Sequence, residues 1–192
     1  MAKKNEFRPD KPNLGLADWL HLTQKQRRTL LKWVLYGAVL LALSVLQDVI
    51  FCHLRIFGAS TELVPCALFL ICVLEGTQSG SVFALIAALL YLFSGTAPGP
   101  YAMVLITVIA IGATIFRQAY LQSGFPAAML CVSIAMFLYE LGVFAIGLFL
   151  GLTIWTRILG FCITAIITLV TAPALYPLLL AIGKIGGEPW KE

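Results

Sequence analysis

The sequence predicts an all-α, polytopic membrane protein, a six-helix transmembrane bundle with no second domain. Three observations lead there. Of 192 residues, 60% are hydrophobic and 11% charged, whereas soluble domains are roughly 25% charged. Mean hydropathy is +0.95. The apolar residues fall into successive runs broken by charges or by glycine and proline, as expected for helices joined by short turns.

Residues 1–32 form a basic N-terminal segment preceding the bundle at 33–183, and residues 184–192 form a short tail. Residues 1–12 are polar and carry Pro9 and Pro12, a composition that predicts disorder. Between Leu14 and Leu22, Leu16, Trp19 and Leu20 stand beside Asp18 and His21. That pattern predicts a short interfacial helix with Trp19 at headgroup depth. Thr23 and Gln26 have capping-box spacing and would start a helix carrying Arg27, Arg28 and Lys32 toward the membrane. A flexible basic arm is the competing reading.

The first span is expected at Trp33–Ile50, long enough to cross ~30 Å of hydrocarbon with its flanking turns. Leu63–Leu74 and Ser79–Phe93 are short for full crossings. They would thin the bilayer, extend into flanking residues, or form a re-entrant hairpin shielded by protein. Each option returns the chain to the same side. Ser94–Pro100 is a turn by its glycines and prolines, followed by spans at Tyr101–Phe116, Phe125–Leu150 and Trp155–Ile182.

Basic residues orient the bundle. Lys3, Lys4, Arg8, Lys11, Lys25, Arg27, Arg28 and Lys32 precede the first span, and six crossings add Arg117, Lys184 and Lys191 to their side, against Arg55 and Arg157 opposite. Positive-inside counting puts both termini in the cytoplasm. The basic cluster abuts a span and lacks a recognition fold, so no nucleic acid is expected as partner. A long charged segment without a small-residue cleavage pattern also disfavours a cleavable signal peptide.

Gly76, Gly80, Ala84 and Ala88 recur every fourth residue, forming one helix stripe without bulk. In lipid, where burial alone does not drive helices together, such a stripe admits another backbone closely. The ladder is therefore expected to be the bundle's hub, though glycine and alanine are common in spans. Gly147 and Gly151 form a second small-residue pair, and either a partner or the fifth span would pack on the ladder.

Ionisable groups inside spans are costly and usually face the bundle interior or an aqueous cavity. Glu75 is expected at the cytoplasmic turn, solvated or favouring a helix N-terminus. Asp48 and Glu140 each lie fifteen positions into their spans, about 22 Å up at ~1.5 Å per residue. Gln47, Asp48, His53, Arg55, Glu140 and Arg157 thus form a candidate outer polar patch, which Tyr139 would extend. It would receive a ligand or partner protein, or merely fix helix register through paired charges.

No catalytic set is present, so a non-enzymatic role is expected. His21 and His53 fall on opposite sides, leaving no two-histidine metal site. There is neither a G-x-S-x-G elbow nor a Walker lysine. An intramembrane carboxylate pair could serve an aspartyl-type protease, but Asp48 and Glu140 lack a supporting motif. Cys52, Cys66, Cys72, Cys131 and Cys162 read as small buried apolar residues, without zinc or disulfide spacing.

Several of these features resemble the rod-shape-determining protein MreD family. They are Leu46-Gln47 closing the first span, Glu75, Gly76, Gly80 and Ala84 to Leu90 in the third, and Gly99-Pro100-Tyr101-Ala102 entering the fourth. Leu175-Tyr176-Pro177-Leu178-Leu179 near the end agrees as well. Leu92 departs from the family, whose members often carry an Asp there, so that carboxylate's role is not carried over. The resemblance implies a non-catalytic scaffold of the bacterial cell-elongation complex, binding MreC and, through it, MreB, RodA and a class B penicillin-binding protein. Membrane lipids surround it, and neither a cofactor nor a small-molecule substrate is implied. MreD proteins are similar in fold to the S components of energy-coupling-factor vitamin transporters, which supplies the alternative function. Ala38 and Ala42 are spaced like the residues by which S components dock their transport partner.

Overall fold

The computed structural model describes residues 24–51, 61–95, 97–120 and 124–185. Among them every regular element is helical: α1 (Gln24–Leu46), α2 (Leu63–Glu75), α3 (Thr77–Phe93), α4 (Pro100–Tyr120), α5 (Phe125–Phe149) and α6 (Ile158–Ile185). A π-helical turn, Gln47–Phe51, closes α1, and a 3-10 turn, Trp155–Arg157, leads into α6. Four helices are long and apolar enough to cross a membrane, at 26–49, 100–120, 125–149 and 155–185. This is the architecture of a multi-pass membrane protein. The proposed interfacial helix at 14–22, the Thr23 cap, the tail at 186–192, and His21, His53 and Arg55 lie outside the described residues.

The helices alternate in direction. Lys32 of α1 meets Glu75 at the end of α2, Thr77 at the start of α3 meets Gln118 near the end of α4, and Phe125 at the start of α5 packs on Tyr176 of α6. These contacts define one end of the bundle, hereafter the basic end. At the opposite end, Gln47 and Thr168 hold the start of α2.

The hub is α2, which corrects the expectation centred on the ladder. Leu63 through Leu74 are all buried, and α2 packs against each of the other five helices. It is only 13 residues long, about 20 Å at 1.5 Å rise, and its neighbours screen it from lipid. A helix apolar on every side belongs in such a position.

The ladder on α3 supplies α2's closest neighbour. Gly80, Ala84 and Ala88 are buried, while Val82, Leu85, Ile86, Leu89 and Phe93 point outward. At Gly80 a Cβ would lie 3.0 Å from the Cys72 carbonyl oxygen and 3.2 Å from its Cα. The Cys72 thiol donates to the Gly80 carbonyl, 3.3 Å away. Gly76 is not a rung. With φ +84° and ψ 179° it is the single residue linking α2 to α3, in a region open essentially to glycine alone.

Gly147 and Gly151 likewise belong to a helix end. Gly151 has φ +70°, Leu152 N–H donates to Gly147 O at 2.8 Å, and Gly151 N–H donates to Leu148 O at 3.1 Å. This is a Schellman termination. The missing side chain of Gly147 accommodates the Thr153 methyl, 3.3 Å from where its Cβ would be.

α4 repeats the distribution seen in α3. It buries Ala102, Ile106, Ala110, Thr114 and Arg117 and exposes Val104, Val108 and Ile115. Small side chains inside and large apolar ones outside invert the soluble pattern, as expected where lipid surrounds the bundle.

Candidate functional site

Three features stand out: a polar cluster at each end of α2, and an apolar groove along its flank. At the basic end, Lys32 Nζ donates to Glu75 Oε2 at 2.5 Å and Tyr36 Oη donates to Glu75 Oε1 at 2.8 Å. The Tyr36 hydroxyl also lies 3.3 Å from the Leu179 carbonyl. The Glu75 side chain is 4% exposed and that of Lys32 11%, so the expected solvated turn is a buried ion pair. Both charges are satisfied within the protein, as burial requires. Arg117, placed by sequence in a cytoplasmic loop, is buried and donates from Nη1 to the Val73 carbonyl. A cation there complements the negative C-terminal end of the α2 dipole.

At the opposite end the structure regroups the proposed polar patch. Gln47 is buried, and its Oε1 accepts the Val64 N–H at 3.1 Å. Thr168 Oγ1 accepts the Glu62 N–H at 3.1 Å. The amide of Glu62, the residue that precedes α2, and one of the helix's own first amides, which have no partner within the helix, are thereby used. Asp48 and Arg157 are exposed, and among the described residues neither pairs with Glu140. Glu140 is 2% exposed and lies beside Glu62 and Tyr139.

Glu62 is the residue that sequence reasoning missed. It sits in a polar stretch and reads as loop, and its only signal is an acid immediately before an unbroken apolar run, where a helix N-terminus favours negative charge. Burial pushes its carboxyl above the ordinary carboxylate range, while the approach of the Tyr139 hydroxyl pulls it down.

The groove runs between α1 and α3. Trp33, Val34 and Gly37 line one wall, and Gln78, Ser79, Val82, Phe83, Ile86 and Leu90 the other, around a volume of about 610 Å³. Farther from the basic end it narrows to a space of about 50 Å³ reaching Val64 and Tyr91. Trp33 and Phe83 stack with centroids 5.1 Å apart where the groove meets the ion pair, and Lys32 lies 5.3 Å from the Trp33 ring. A Cβ added at Gly37 would meet nothing within 4 Å. The groove is therefore wide at that point, and α2 is reached only at its narrow end, at Val64.

No family model, curated protein or solved structure matches the chain.

Proposed function

We propose that this protein is a non-catalytic membrane scaffold of the MreD type. In this reading it binds MreC and, through that complex, MreB, RodA and a class B penicillin-binding protein during bacterial cell elongation. The alternating helices support six crossings, with α2 and α3 as a short hairpin set against longer neighbours. Lys32 and Arg117 at one end support a cytoplasmic location for that end and for both termini in the bacterial cell membrane.

The observation that carries the reading is the α1–α3 groove. It is apolar along most of its length and opens sideways between α1 and α3, touching α2 only at its narrow end, through Val64. A partner's single transmembrane helix has the shape and chemistry to occupy it, with Gly37 allowing close approach. A Cβ at Gly37 meets nothing within 4 Å, so Gly37→Leu projects its bulk into the groove. The variant is expected to fold and reach the membrane at wild-type levels and to recover much less MreC from native membranes. Undiminished MreC recovery would count against the scaffold reading.

A vitamin-transporter S component is favoured by one observation, the exposure of Ala38 and Ala42 on the outer face of α1. That reading predicts co-purification with transporter ATPases and tight vitamin binding in place of MreC recovery.

A further inference from the structure

We infer that the bundle thins the bilayer on one side, beside α3 and at the end opposite the basic residues, while α5 and α6 carry a full-thickness bilayer on the other. The surface concerned is the outer face of α3, and what it fits is a short lipid layer. This holds whether or not the scaffold reading does.

The register of the helices creates the step. Ser44 of α1, Val64 of α2 and Ser94 after α3 line the same narrow space, so α3 ends level with the start of α2. Thr168 of α6 stands at that level too, because it accepts the Glu62 N–H. Leu159 precedes Thr168 by nine positions in a helix that runs toward the basic end, which puts it about 13 Å farther out at 1.5 Å per residue. α5 reaches as far, since Phe144 packs on both Phe161 and Trp155.

Side-chain chemistry fixes where hydrocarbon ends on each side. Beyond the level of Thr168, α5 and α6 present an apolar surface in which Phe149, Leu150, Ile154, Trp155 and Leu159 are exposed. Lipid removes such a patch from water, with Trp155 suited to the interface. On α3 the large exposed side chains stop at Phe93, and residues 94, 95 and 97–99 are irregular, with Ser94, Gly95 and Pro98 exposed. Irregular backbone facing lipid is not tolerated within hydrocarbon, because its N–H and C=O groups need water. Exposed Gln78 and Ser79 bound the same helix at the basic end. The apolar belt of α3, Val82 to Phe93, is therefore about 17 Å tall, against ~30 Å of hydrocarbon. On α6 the exposed apolar side chains run from Leu159 to Leu178, about 28 Å at the same rise. A bilayer meets a short belt by thinning, and a thinned flank sorts toward it proteins of short hydrophobic length.

The test uses the full-length protein in nanodiscs of monounsaturated phosphatidylcholine and a membrane-impermeant maleimide. Labelling is read peptide by peptide by mass spectrometry, so the native cysteines are retained. Ser94→Cys, Gln78→Cys and Leu159→Cys each place one thiol at an exposed position. Maleimide attacks the thiolate, which apolar surroundings suppress, so Ser94→Cys and Gln78→Cys are expected to label at least about tenfold faster than Leu159→Cys. This order is expected although Leu159 lies farther from the basic end than Ser94 does. Pro98→Cys, in the same turn, replaces Ser94→Cys if the latter lowers the unfolding midpoint. Protection of the thiol in that turn, protection of Gln78→Cys as a tilted bundle in an unthinned bilayer would give, or equally fast labelling of Leu159→Cys would overturn the inference.

Discussion

Gly80 and the Lys32–Glu75 pair are positions at which a single side chain bears directly on how the bundle packs. A side chain at Gly80 would press on the backbone of Cys72, not on a movable side-chain end. Gly80→Leu is therefore expected to force α2 and α3 apart and to cost about 1–3 kcal/mol or more. Gly112→Ala, where a Cβ meets nothing within 4 Å, should leave the thermal unfolding midpoint in detergent unchanged. Lys32→Ala leaves Glu75 buried with Tyr36 as its remaining partner, and breaking a buried pair in this way costs about 3–5 kcal/mol. The double replacement Lys32→Met with Glu75→Leu removes both charges and should restore most of that loss, as a double-mutant cycle will read. The four-residue spacing of the ladder identified a close-packing face in the sequence, but not its neighbour. Spacing reports which side of a helix is small, whereas the partner of Glu75 lies 43 residues away.

At the level of elements, α2 and α3 bury their residues by opposite patterns, and this explains what the sequence revealed of each. α3 has one small-residue stripe, so its inward side is legible from period alone. α2 is apolar all round, carries no periodic signal, and its central position becomes visible only once five helices surround it. The Gly147–Gly151 spacing suits a packing pair and a helix termination equally, and the positive φ of Gly151 decides for the latter. Position in the bundle sets the expected effect of truncation. Leu70→Ala, at 0% exposure in α2, should destabilise by about 2–5 kcal/mol. Val104→Ala, 62% exposed on the outer face of α4, should change the unfolding midpoint little, because it empties no packed space.

For the molecule as a whole, composition and run lengths were enough to mark a multi-pass helical protein, because a chain this apolar has few other ways to satisfy its backbone. The outer polar patch was less legible. Glu140 was recognisable as a costly intramembrane acid, but its neighbour Glu62 precedes α2 in a polar stretch, and Asp48 turned out to face outward. The groove was not legible, since it arises from the separation of α1 and α3, and no residue pattern encodes a gap. The central claim is that this groove receives MreC, and site-specific photo-crosslinking in native membranes tests it most directly. A photoreactive residue at Val82 in the groove is compared with one at Val104 or Val170 on other exposed faces. The account predicts a discrete MreC adduct from Val82 and none from the other two. Equal capture from all three faces, or a transporter subunit captured at Val82 in place of MreC, would contradict it.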